Sequence, residues 1–91
     1  MKVAEENIII DLLSEKAKAM KKDNKHATRY TLMRMAKAEL LKELDSTKCK
    51  MNDFVLDKIL KNTRQITVSE CIVFAKIFGL DDFRDVLQKK N

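Results

Sequence analysis

Glycine occurs once, at Gly79, and proline does not occur at all. Nothing else constrains the fold of this chain as strongly. Two-residue β-hairpins need central residues that accept positive φ, and neither Asn-Gly nor Asp-Gly occurs in the 91 residues. A β-rich fold would lack its turns, whereas helices need such residues only at their ends. With 45% apolar residues the chain has material for a small core, and 36% charged residues keep its surface solvated. A chain of this length buries somewhat over ~60% of its unfolded surface, which is one modest core. We therefore expect a single helical domain over residues 1–91, with 1–4 and 89–91 frayed. The expected fold class is all-α, a compact bundle of four to five short helices.

Apolar spacing places the helices. The first is expected from about Glu5 to Lys22, with Ile9, Leu12 or Leu13, Lys16 and Met20 in one row and Ile10, Leu13 and Ala17 beside it. Its acids (Glu5, Glu6, Asp11) precede its lysines (Lys16, Lys18, Lys21, Lys22), as the helix dipole favours. Asp23-Asn24 marks a break, and a second helix follows from Lys25 to Leu44. Tyr30, Met33, Ala36 or Lys37, Leu40, Leu41 and Leu44 make its apolar face, extended sideways by Leu32 and Met35. Asn52 caps a third helix, Asp53 to Lys61, which buries Phe54 or Val55, Leu56, Ile59 and Leu60. Thr67-Val68-Ser69-Glu70 reads as a capping box, with Ile66 and Cys71 as its hydrophobic staple. The helix it starts, Val68 to Phe78, is apolar almost all round, and Gly79 ends it. Asp81 then caps a fifth helix from Asp82 to Lys89, and Gln88 to Asn91 form a soluble end.

Charge is concentrated rather than spread. Between Lys16 and Lys37 lie eight cations and one anion, Asp23, a net +7 against +5 for the whole chain. Lys18, Lys21, Lys22, Lys25 and Arg29, with the more distant Arg34, are the candidate phosphate contacts. They would collect at the junction of the first two helices if these meet in an acute hairpin. His26 lies in the same stretch, and Tyr30 is the one nearby aromatic that a base could stack on, although core burial suits it equally. The alternative for these lysines is an ordinary solvated face.

Catalysis finds little support. His26 is the single histidine, and Cys49 and Cys71 belong to no metal-ligand spacing. We expect two reduced thiols, Cys49 accessible and Cys71 buried, in a cytoplasmic protein. One glycine excludes a Gly-rich phosphate loop. Asp81, Asp82 and Asp85 serve as helix-start acids, and Glu39 and Glu43 pair with Lys42 and Lys37 along one helix face. No cofactor and no small-molecule substrate are expected. Glu5, Glu6 and Asp11 interrupt the apolar N-terminal residues, so neither a signal peptide nor a membrane span is expected.

Asp53 to Phe78 has the outline of a helix-turn-helix, and its last helix resembles that of phage-repressor-type domains. The connection from Asn62 to Thr67 is longer than the usual turn, however, and Ser69, Glu70, Cys71 and Val73 are poor readers of base edges. A second resemblance covers Asp11 to Lys61 and carries further. Ala19-Met20-Lys21, then Asp23, then Leu32-Met33-Arg34-Met35 resemble the paired-helix signature of the YqeY-like family. That family is similar to the tail domain of the B subunit of bacterial aspartyl/glutamyl-tRNA amidotransferase. Asn52-Asp53, Arg64-Gln65 and Ser69 stand where the family has an acidic helix start, a Gln-Arg pair and a Ser-bearing helix. The Lys21-to-Arg34 spacing is longer here, the Gln-Arg order is reversed, and the family's C-terminal helical part has no counterpart. The resemblance implies a helical domain that contacts tRNA and has no active site. We therefore expect a small module that binds RNA, tRNA in particular, through its basic window. The alternative is a protein-interaction module, an adaptor or small inhibitor docking on a larger enzyme.

Overall fold

Each helix must satisfy the amides of its first turn and the carbonyls of its last. The computed structural model describes residues 5–87, and in it four α-helices follow one another. They are α1 (Ile9–Met20), α2 (Arg29–Ser46), α3 (Asp53–Leu60) and α4 (Val68–Ile77), and a short 3-10 helix covers Phe83–Val86. The fold is all-α. α1 packs on α2, α2 on α4, and α4 on the 3-10 helix.

Polar side chains start three of the helices. Thr28 Oγ1 accepts the Thr31 amide at 3.2 Å, and Asn52 Oδ1 accepts that of Val55 at 2.8 Å. The capping box read from Thr67 to Glu70 is present in both directions: Thr67 Oγ1 accepts the Glu70 amide at 3.1 Å, and Glu70 Oε1 accepts the Thr67 amide at 2.9 Å. Ile66 and Cys71 beside it are buried, as a staple requires.

Left-handed residues end three of them. Lys48 (φ 64°), Asn62 (φ 58°) and Gly79 (φ 69°) follow α2, α3 and α4. In each case the next amide reaches back to the last turn: Cys49 to Leu44 O, Thr63 to Lys58 O, and Leu80 to Ala75 O. These are three Schellman endings, of which only the one at Gly79 has the residue that the conformation favours.

The core is built from one stripe per helix. Ile9, Leu13 and Ala17 of α1 meet Leu32, Ala36, Leu40 and Leu44 of α2. Leu56, Ile59 and Leu60 of α3, Cys71, Phe74 and Ala75 of α4, and Val86 and Leu87 complete it. Each large apolar side chain withdrawn from water contributes about 1.5–3 kcal/mol before chain entropy is counted.

Several expectations are corrected. α1 begins at Ile9, not Glu5, because Asn7 turns the chain: its Oδ1 accepts the Ile9 amide at 3.0 Å and its backbone bridges to Leu87. α2 begins four residues later than Lys25, at the Thr28 cap, and ends at Ser46. Its buried stripe is centred on Leu32, while Tyr30 is 72% exposed. Of the two alternatives in α3, Val55 packs half-buried against the core and Phe54 is exposed, at 65%. α4 is not buried all round: Ile72 faces outward and Val73 and Ile77 are half-buried. The fifth helix is a single 3-10 turn capped by Asp82 rather than Asp81, with Asp82 Oδ1 accepting the Arg84 amide. Its expected end at Lys89, the soluble C-terminus and the frayed segments 1–4 and 89–91 lie outside the described residues. Cys49 is half-buried rather than fully accessible, and Cys71 is buried; both are free thiols. Burial, with the Glu70 charge adding to it, pushes the Cys71 thiol up to about 11 and raises Cys49 as well.

The positive-φ endings predict opposite outcomes for similar substitutions, read by urea unfolding. Lys48→Gly stabilises by about 0.5–1 kcal/mol, because glycine relieves the left-handed strain. Gly79→Ala destabilises by about 1 kcal/mol through φ alone, since no atom crowds its Cβ position. Asn62→Gly keeps the backbone but leaves Asn7 without its partner, and costs about 1–3 kcal/mol.

The capping box carries a charge. Burial would raise the Glu70 carboxyl, but Arg64, paired to it through two nitrogens at 3.0 and 3.1 Å, and the Thr67 amide hold it below its ordinary 4.5. A carboxyl depressed on folding contributes stability above its unfolded pKa, and that contribution is lost as pH falls through the folded value. Glu70→Gln should therefore unfold with a flatter pH dependence than the wild type below about pH 4.5. Thr67→Ala should cost about 0.5–2 kcal/mol at neutral pH. Equal acid slopes for Glu70→Gln and the wild type would contradict this account.

Candidate nucleic-acid interface

The basic window folds into the end of a helical hairpin. α1 stops at Met20, whose carbonyl accepts Asn24 Nδ2 at 3.0 Å, and successive turns carry the chain from Lys21 to Thr28. Met20 and Ala27 are partly buried against the core and hold this connection down. The break expected at Asp23-Asn24 is therefore real, but eight residues long. Lys18, Lys21, Lys22, Lys25, His26 and Arg29 are all exposed around it.

Helical geometry decides which of these residues meet. Ser14, Ala17, Lys18 and Lys21 recur at three- and four-residue intervals, so they share one face of α1. That face meets the start of α2 across an open cleft of about 290 Å³. Its floor is Ala17, Leu32 and Met33, and Lys18, Lys21 and Arg29 line it from the two helices. Lys22 and Lys25 lie in the adjoining connection. Arg34 does not join them. It sits five residues beyond Arg29, over the Tyr30 ring at 5.8 Å from the centroid, and lines a separate cleft of about 600 Å³ with Lys37, Asp53 and Asp57. Ser14 and Met33, whose Oγ and Sδ are 3.8 Å apart, were not among the candidate residues. The spacing of Ser14 to Lys18 and Lys21 would have found the first; only the packing of α1 on α2 reveals the second.

Elsewhere among the described residues five cations are matched by acids, and Lys42, Lys48, Lys50, Lys58 and Lys76 are not. Lys16 pairs with Glu43 at 3.3 Å, Lys61 with Asp57 at 2.9 Å, Arg84 with Asp82 at 2.8 Å, and Arg64 with Glu70. Lys37 bonds both Asp53 and Asp57, at 3.1 and 3.3 Å. Burial alone would lower the Lys37 pKa, but these two carboxylates outweigh it and raise the value, so its charge is spent internally. The pairings expected along α2, Glu39 and Glu43 with Lys42 and Lys37, give way to contacts between helices. No ion pair among the described residues involves Lys18, Lys21, Lys22, Lys25, Arg29 or Arg34.

Among the described residues no group of three His, Cys, Asp or Glu side chains could hold a metal ion. No helix among the described residues is long and apolar enough to cross a membrane. No protein-family model matches the chain, and no curated protein or solved structure matches it.

Proposed function

We propose that this protein is a nucleic-acid-binding module that holds RNA phosphates at the α1–α2 junction through Lys18, Lys21, Lys22, Lys25 and Arg29. One observation carries this reading: these five cations are exposed, in no ion pair, and gathered at one end of the hairpin with Asp23 as the only acid among them, while the other unpaired lysines, Lys42, Lys48, Lys50, Lys58 and Lys76, are spread from α2 to α4. Clustered cations repel, and anionic phosphates relieve that repulsion while releasing counterions. Arg29 sharpens the point. It is the first residue of α2, at the positive end of the helix dipole, and no acid lies in that first turn. Arg34 is left out of the set, since it lines another cleft. The resemblance to the YqeY-like family favours tRNA among RNAs. The two free thiols suit a cytoplasmic location, and the reading requires no active site.

A protein-interaction module is the second reading, supported by the exposed Tyr30, Phe54, Met35 and Ile72. Binding of tRNA and duplex DNA over a salt series separates the two. The phosphate reading expects steep salt dependence for the wild type. For Lys21→Ala/Lys22→Ala/Lys25→Ala it expects a slope smaller by about one unit per contact removed, with little dependence on sequence. Equally weak binding by both proteins would leave the lysines as a solvated face and put the interaction module first.

A further inference from the structure

The junction is not a flat basic surface. Its cations border a cleft with an apolar floor, and that combination has consequences beyond charge. Building on the phosphate-binding reading, we infer that the α1–α2 cleft receives an unstacked base of a single-stranded RNA, whose flanking phosphates are held by Lys18, Lys21 and Arg29.

Three features point to this occupant. The cleft, about 290 Å³, is close to the lower end of the size range of ligand pockets and suits a planar ring rather than a long chain. Its floor is apolar and includes the polarisable Met33 sulfur, which makes favourable contacts with aromatic rings. Its flanking charge is of one sign and uncommitted. The larger cleft beside Tyr30 differs on this last point, because Lys37, Asp53 and Asp57 there already satisfy one another. A phosphate ion alone would use the lysines and leave the floor empty. An apolar peptide would cover the floor and bury the lysines unpaired. A polynucleotide strand with one base turned in satisfies both, whereas duplex bases are stacked and paired and cannot enter.

The test compares two ligands with the same phosphates at fixed salt: a short single-stranded oligouridine, and the same strand with its bases removed. Turning in one base buries on the order of 60 Å² of ring surface, which corresponds to about a tenfold gain in affinity. We expect the oligouridine to bind about tenfold tighter than the abasic strand. Ser14→Leu, at a half-buried position lining the cleft, should bring oligouridine down to the abasic level and leave abasic binding unchanged. The comparison of the two ligands on the wild type needs no variant, so a misfolded Ser14→Leu protein would not spoil it. Equal affinity for both ligands, with a retained salt slope, would overturn base insertion and spare the phosphate patch. Binding of neither ligand would overturn both.

Discussion

The fold turns on two asparagines that hydrogen-bond to each other across most of the chain. Asn7 is the one buried polar residue among those described, and none of its polar groups is left over. Its amide and its Nδ2 both donate to Asn62 Oδ1 at 2.9 Å, Nδ2 also donates to Ile59 O at 2.9 Å, and Asn62 Nδ2 donates back to Asn7 O at 3.1 Å. Asn62 presents its side chain this way because it occupies the left-handed position after α3. Asn7, so held, starts α1 at Ile9, and the Ile8 amide bonds Val86 O at 2.8 Å. One polar contact thus sets the beginning of α1, the end of α3 and the seat of the last turn. An unpaired polar group in that position would cost more than a typical hydrogen bond contributes, so the contact enforces one arrangement rather than merely favouring it.

Local endings serve the same purpose along the chain. Each Schellman ending stops a helix where its apolar stripe stops facing the core and redirects the chain within two residues. Lys48 and Asn62 take up this geometry without glycine, and Asn62 can do so at least strain because its side chain is bonded. The shortage of glycine and proline therefore does not lengthen the loops; it shifts the work to side chains and to tolerated strain.

Charge is sorted by the packing. Ion pairs between helices, Lys16 with Glu43 and Lys37 with the two α3 aspartates, tie α2 to its neighbours and consume the cations nearest the core. Exposed pairs of this kind contribute little stability, but they decide which charge remains available outside. The unpaired cations left outside are densest at the α1–α2 end, where Asp23 is the only acid in the connection.

Helix number, the caps at Asn52 and Thr67 and the left-handed Gly79 were legible in the sequence, because each depends on a few adjacent residues and on short-range hydrogen bonds. The concentration of cations between Lys16 and Lys37 was equally plain. The start of α1 was not, because Asn7 meets Asn62 only after fifty-five residues of chain have folded. Nor was the exposure of Tyr30 and Phe54: spacing along a helix shows which residues share a face, but the neighbours decide which face is covered. For the same reason the sequence alone named the lysines of the patch. Only the tertiary packing of α1 against α2 separated Arg34 from them and opened a cleft between Lys18, Lys21 and Arg29, since a cleft exists only where two elements meet.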